Sequence, residues 1–316
     1  MNPSSPAASI RGIIPPMVTP LAGIDELDIS GLERLIEHIL QGGVHGIFIL
    51  GTTGEGPALS DRLRRELIER TCRQVANRVP VLVGLIDSAY PEMLHVADWA
   101  AQCGASALVV APPFYFPLSQ ADLLRMIESL SKDLALPFYL YNQPELTKVS
   151  FSPETVAVAS EIHGIIGIKD SSGDIGYVRE ILRRRHTRSP FHVLVGPEHL
   201  LEEALACGAD GGVPGGANIF PELPVQLYEA HRRGDSARAH EIQRRIITLG
   251  APIWNVDEEG TGHLRRLKCA LSLLGLCSGR PAWPSVESAP EERTRMEEHL
   301  TRHGILASSG PGEGWR

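Results

Sequence analysis

PFYLYNQPELTKVSFSPETVAVASEIHGIIGIK, residues 137–169, is the stretch that decides the architecture. It begins with an apolar run, Pro137 to Tyr141, and ends with another, Ile165 to Lys169. Neither run alternates polar with apolar residues. Strands without a polar face belong to a sheet covered on both sides. Between the runs, Ser152-Pro153-Glu154 supplies a capping hydroxyl, a proline at the first helical position and an acid in the first turn. Strand, helix and strand in that order predict one unit of a parallel α/β sheet.

The same unit recurs outward in both directions. Similar runs are GIIPPMV at 12–18, GIFIL at 46–50, PVLVG at 80–84, ALVVA at 107–111, HVLVG at 192–196 and GGV at 211–213, making eight strands in all. Helical patterns lie between them. Ser30 with Glu33 predicts a capping box ahead of LERLIEHIL. Arg62 to Val75 reads as an amphipathic helix, and Ser119 starts one that ends near Lys132. Eight alternations without a mid-chain change in composition predict a (β/α)8 TIM barrel over residues 10–232, with a doubly wound open sheet as the alternative. The eighth strand is short and glycine-rich. Beyond residue 232 the strand signal stops. Residues 234–249, about 260–276 and about 289–303 read as helices, so 233–306 is expected to be a helical appendage packed on the barrel. ASSGPGEGWR, 307–316, reads as a disordered tail.

Composition narrows the function. A chain of 316 residues suits a single barrel of this type, which typically takes about 250. Apolar residues at 43% and charged residues at 22% exclude disorder as the main state. A net charge of −8 implies no basic face, so nucleic acid is not an expected partner. No apolar run approaches the ~20 residues of a membrane helix. MNPSSPAASI at 1–10 has neither a basic start nor an apolar core of signal-peptide length. Five cysteines (Cys72, Cys103, Cys207, Cys269 and Cys277) form no CxxC pair. They read as buried thiols of a reducing, cytoplasmic protein rather than as metal ligands. The histidines are scattered, and no metal is expected.

In such barrels chemistry sits at the carboxyl ends of the strands. Lys169 ends one apolar run, where desolvation favours the neutral amine that attacks carbonyls, unless it snorkels or pairs with Asp170. Tyr141 ends another and can shuttle protons, or simply plug the barrel. GTTGEG at 51–56 follows the second strand; its amides and hydroxyls suit a carboxylate, and it lacks the Lys-Ser/Thr of a phosphate loop. GGVPGGAN at 211–218 leaves room for either a substrate tail or close helix packing.

Together these residues resemble the dihydrodipicolinate synthase / N-acetylneuraminate lyase family of class I, Schiff-base, pyruvate-dependent aldolases. The resemblance spans about residues 10–306. It rests on PPMVTPL at 15–21, GTTGEG at 51–56, PPFYFPLS at 112–119, YNQP at 141–144 and IKDSSGD at 168–174. It implies that Lys169 forms an imine with pyruvate or another 2-oxo acid, so that no cofactor is needed. It implies that Tyr141 passes protons. Thr52 and Thr53 hold the pyruvyl carboxylate, and the Thr53 hydroxyl links to Tyr141. Tyr115 completes the relay from a neighbouring subunit of a homotetramer built as a dimer of dimers. The backbone at Val213 lines the pyruvyl pocket.

The substrate end departs from the family's better-known members. Lysine-pathway synthases carry an arginine two residues after the YNxP proline, and here that residue is Leu146. Sialate lyases use an Asp-Glu pair after the seventh strand and a serine in the glycine-rich loop. Glu198 with His199, and Gly215, stand at those places. Ser171 remains as a hydroxyl contact. The expected activity is cleavage or formation of a 4-hydroxy-2-oxo acid or a 2-keto-3-deoxy sugar acid. The alternatives are 4-hydroxy-tetrahydrodipicolinate synthase, dehydratase or deaminase chemistry on the same imine, and a non-catalytic 2-oxo-acid-binding barrel.

Overall fold

The computed structural model describes residues 10–185, 191–254 and 262–306. Eight parallel strands form one curled sheet: β1 Gly12–Ile13, β2 Ile47–Ile49, β3 Val81–Leu85, β4 Ala107–Val110, β5 Phe138–Asn142, β6 Ile165–Asp170, β7 His192–Val195 and β8 Gly211–Gly212. Neighbours follow the chain order from β2 to β8, and β8 pairs with β1. At the remaining edge β1 and β2 approach through His45 N to Ile13 O (2.8 Å), Phe48 N to Pro15 O (2.9 Å) and Met17 N to Phe48 O (2.8 Å). A parallel bridge joins Pro16 and Phe48. The first strand is shorter than the apolar run 12–18 predicts. Pro15 and Pro16 have no N–H, so the ladder stops at Ile13 and continues only as single bonds.

Both faces of the strands are covered. Tyr139, Tyr141, Ile166, Leu194 and Val213 join Phe48 and Leu82 in an inner core. Phe138, Leu140, Ile165 and Ile168 point outward into a larger core shared with the helices. Alternation along β5 therefore divides one apolar run between two cores.

Helix α1 (Ile29–Gln41) corrects the predicted capping box. Its cap is Asp28, which accepts the Gly31 N–H at 2.9 Å, and Ser30 lies inside the first turn, donating to Asp28. A carboxylate is the stronger acceptor there, and Asp28 also receives Ser278 N from the far end of the chain. The other caps read from sequence are present: Ser119 before Gln120–Asp133, and Ser152 before Pro153–Ala159. The C-terminal helices are Ser236–Trp254, Gly262–Leu273 and Pro290–Arg302. The expected tail, 307–316, lies outside the described residues.

Candidate active site

Strand register brings the two chemical residues together. β5 and β6 pair with Tyr141 opposite Lys169 and Asn142 opposite Asp170. Because side chains alternate, Tyr141 and Lys169 share the inner face and Asn142 and Asp170 the outer one. The Lys169 ammonium lies 3.7 Å from the Tyr141 ring centroid and 5.7 Å from that of Phe48. Both side chains are buried. Burial alone would push the Tyr141 phenol up. The Lys169 charge and hydrogen bond, with the hydroxyls of Thr52 and Ser171, outweigh it and hold the phenol below its ordinary value.

The outer pair was not among the residues singled out from sequence. Asn142 Nδ2 donates to Asp170 Oδ1 at 2.7 Å, and Asp170 Oδ2 accepts from Ser172 Oγ at 2.9 Å. Asn142 Oδ1 in turn accepts Phe151 N at 3.1 Å. Burial pushes the Asp170 carboxyl above its usual range against these bonds. Asp170 is thus turned away from Lys169, and the clamp locks the register that stacks the amine on the phenol. The signal was available in the strand period: if Tyr141 and Lys169 share a face, the residues that follow them share the other.

The GTTGEG turn supplies the next contact. Leu50 and Glu55 adopt left-handed φ of 58° and 54°. Gly56 and Gly84 make this possible, because a Cβ at either would lie 2.2 Å or 2.3 Å from the Leu50 carbonyl oxygen. In this turn the hydroxyl that meets Tyr141 OH, at 3.0 Å, is that of Thr52. The expected link from Thr53 is therefore corrected: the turn aims the first threonine at the phenol, while Thr53 lines the same cavity.

That cavity, of about 320 Å³, is bordered by Thr52, Thr53, Tyr141, Lys169, Ser171, Glu198, His199, Val213, Gly215, Trp254 and His263 among others. Lys169 is the single lysine or arginine among its described lining residues. Glu198 is held by two donors, Gly216 N at 2.8 Å and Trp254 Nε1 at 2.6 Å. Burial pushes its carboxyl up to about 7 against those bonds. Gly215 has a packing reason: a Cβ there would stand 2.8 Å from the Trp254 ring. Trp254, on the helix Ser236–Trp254, was not singled out from sequence, since nothing local places it 56 positions away from its partner Glu198.

Tyr115 does not reach this site within its own chain. It is 77% exposed, beside Phe116 at 71% and Phe114 at 42%. No group of three or more potential metal ligands occurs among the described residues. No helix among them is long and apolar enough to cross a membrane.

A parallel α/β sheet with an amine stacked on a phenol at its carboxyl edge has the make-up of an enzyme active site, and the relatives of this chain are lyases. The chain belongs to the Dihydrodipicolinate synthetase family, whose pattern matches residues 9–303. Members of this family are class I pyruvate-dependent aldolases and synthases. The chain is similar to a dihydrodipicolinate synthase structure from Bacteroides thetaiotaomicron, at 45% identity and a TM-score of 0.89, covering 93% of this chain and 98% of that one. It is 31% identical to the probable 2-dehydro-3-deoxy-D-pentonate aldolase YjhH of Escherichia coli (strain K12), over 93% of this chain and 98% of the relative. YagE of Escherichia coli K12, solved in complex with pyruvate, superposes with a TM-score of 0.88 at 29% identity, covering 94% and 99%.

Proposed function

We propose that this chain is a Schiff-base aldolase that cleaves or forms a 4-hydroxy-2-oxo acid or a 2-keto-3-deoxy sugar acid, with Lys169 carrying the imine. The observation that carries the reading is the cavity itself. It holds a stacked amine and phenol at one end and, among its described lining residues, no further lysine or arginine. Such a cavity suits a substrate with one carboxylate, at the pyruvyl end, and a neutral hydroxylated remainder.

In the cleavage direction the Lys169 amine attacks C2 of the 2-oxo acid, and loss of water leaves a protonated imine. Tyr141 takes the proton of the C4 hydroxyl. The C3–C4 bond breaks, its electron pair flows into the imine, and the aldehyde departs. Protonation of the enamine at C3 and hydrolysis then release pyruvate and restore the amine. Thr52, 3.0 Å from the Tyr141 oxygen, orients the phenol and passes its proton. Thr52 and Thr53 hold the carboxylate, Ser171 and Glu198 contact the hydroxylated part, and Val213 and Gly215 shape the walls.

The second reading is 4-hydroxy-tetrahydrodipicolinate synthase, favoured by the likeness to the Bacteroides enzyme. Against it stands Leu146, 51% exposed, which borders an apolar compartment of about 280 Å³ that shares Thr52, Tyr141 and Gln143 with the cavity; a leucine places no donor there. Lys148, two residues after Leu146 in sequence, turns its ammonium onto the Glu145 carbonyl at 2.5 Å and does not line the cavity.

We further propose a (β/α)8 barrel, residues 10–232, closed through the bonds between 13–17 and 45–48, with 233–306 as its helical appendage. A homotetramer would present the exposed Tyr115 to a neighbour's Tyr141. The five free cysteines fit a cytoplasmic setting. Borohydride reduction with pyruvate tests the chemistry: a pyruvyl mass is expected on the Lys169 peptide, and trapping that persists in Lys169→Ala overturns the assignment. A screen of aldehydes with pyruvate then separates neutral from anionic electrophiles.

A further inference from the structure

A buried ion pair outside the cavity joins the C-terminal helices to the threonine turn. Lys268, on helix Gly262–Leu273, is fully buried, and its ammonium contacts the Glu55 carboxylate. The same ammonium donates to the Arg280 carbonyl at 2.9 Å. The other Glu55 oxygen accepts Ala282 N at 2.7 Å. Glu55 is itself the left-handed residue of the GTTGEG turn, and its N–H closes that turn on the Thr52 carbonyl at 2.9 Å. A non-glycine residue stays at positive φ only where its surroundings hold it. Here the holding groups come from more than 200 positions away in sequence.

We propose that Lys268 is a positioning residue for the reaction: through Glu55 it keeps the turn wound so that the Thr52 hydroxyl stays on Tyr141. The inference rests on the aldolase reading above. Lys268 touches no reacting atom. Its charge is tolerated in the interior because Glu55 neutralises it, and loss of either partner leaves the other unpaired. The C-terminal helices thereby form part of the machinery that aims the proton relay.

The test compares Glu55→Gln, Lys268→Met and the double variant Lys268→Met/Glu55→Gln, each checked for folding by thermal melting. Lys268→Met alone strands a buried carboxylate and Glu55→Gln alone a buried ammonium, so either can unfold the chain; the double variant leaves no unpaired charge. In the folded variants kcat should fall roughly 10-fold or more, with a smaller change in KM for pyruvate. In a Thr52→Val background the same changes should cost less than about two-fold, because the hydroxyl they position is gone. A folded double variant within about two-fold of wild-type kcat overturns the proposal. So do losses that multiply undiminished in the Thr52→Val background. Borohydride trapping of the wild type, run alongside, separates the two readings: its failure overturns the aldolase assignment and this proposal with it, whereas normal trapping with an unimpaired, folded double variant overturns the Lys268 proposal alone.

Discussion

Lys169 and Tyr141 face each other across two parallel strands, with the ammonium 3.7 Å from the centre of the phenol ring. A cation at this range stabilises negative charge on the phenol oxygen, and the phenol in turn holds the amine at the cavity floor. Amine and phenol are therefore a single unit, placed by backbone hydrogen bonds rather than by loops.

Tyr141→Phe should fold as wild type and lose roughly 10²–10⁴-fold in kcat. One hydroxyl is removed from a ring that is otherwise packed against Phe48, at 6.4 Å between centroids. Steady-state kinetics beside a thermal melt checks both halves. Turnover within three-fold of wild type would remove Tyr141 from the mechanism.

Thr52 and Thr53 should separate kinetically. Thr52→Val breaks the 3.0 Å bond to Tyr141 and is expected to lower kcat. Thr53→Val removes only a cavity-lining hydroxyl and should act mainly on KM. The reverse pattern would show that the bound substrate rewinds the turn.

Condensation of pyruvate with aspartate semialdehyde should be slow in the wild type and faster in Leu146→Arg. A leucine offers no donor to a second carboxylate, and sites built around such a donor discriminate by up to about 10⁴-fold. Wild-type kcat/KM at or above about 10⁴ M⁻¹s⁻¹ would restore the synthase reading.

Glu198 predicts a pH dependence of stability. Its folded carboxyl titrates at about 7 against an ordinary 4.5, so between those values the folded chain holds more protons than the unfolded one. The stability from this group is complete below pH 4.5 and is lost as pH rises through about 7, a difference on the order of 3 kcal/mol. Melting temperatures between pH 4.5 and 8 should fall less steeply in Glu198→Gln than in wild type. Parallel curves would place the Glu198 titration elsewhere.

An isolated subunit should be impaired. Tyr115 is 77% exposed, packs its ring against Phe116 and does not line the cavity that holds Tyr141. If the proposed homotetramer forms, dilution should dissociate it and lower specific activity together, as read by sedimentation and kinetics. A monomer with full activity would contradict the shared relay.

Local pattern carried the strands and placed Lys169 and Tyr141 at strand ends, while the roles expected of that pair came from the family resemblance. Each strand is short, apolar on both faces and bounded by its own turn, so its existence is written in five or six consecutive residues. Lys169 and Tyr141 were legible because they end two such runs, and a parallel register with period-two alternation leaves them one shared face. The helix starts at Ser119 and Ser152 were legible for the same reason, since a cap and its first turn are neighbours in sequence. Tertiary structure decided what depends on distant partners. Asp28 rather than Ser30 caps its helix, and Asp28 also binds Ser278 N, 250 positions away. Thr52 rather than Thr53 meets Tyr141 in a turn whose left-handed Glu55 is held by Lys268 and by Ala282, 227 positions on. Glu198 becomes a weaker acid through burial in the folded chain, against the pull of its bonds from Gly216 and Trp254. Propensity and periodicity act over one or two turns of chain, whereas burial, charge pairing and the aim of a side chain are set by whichever residues the fold brings alongside.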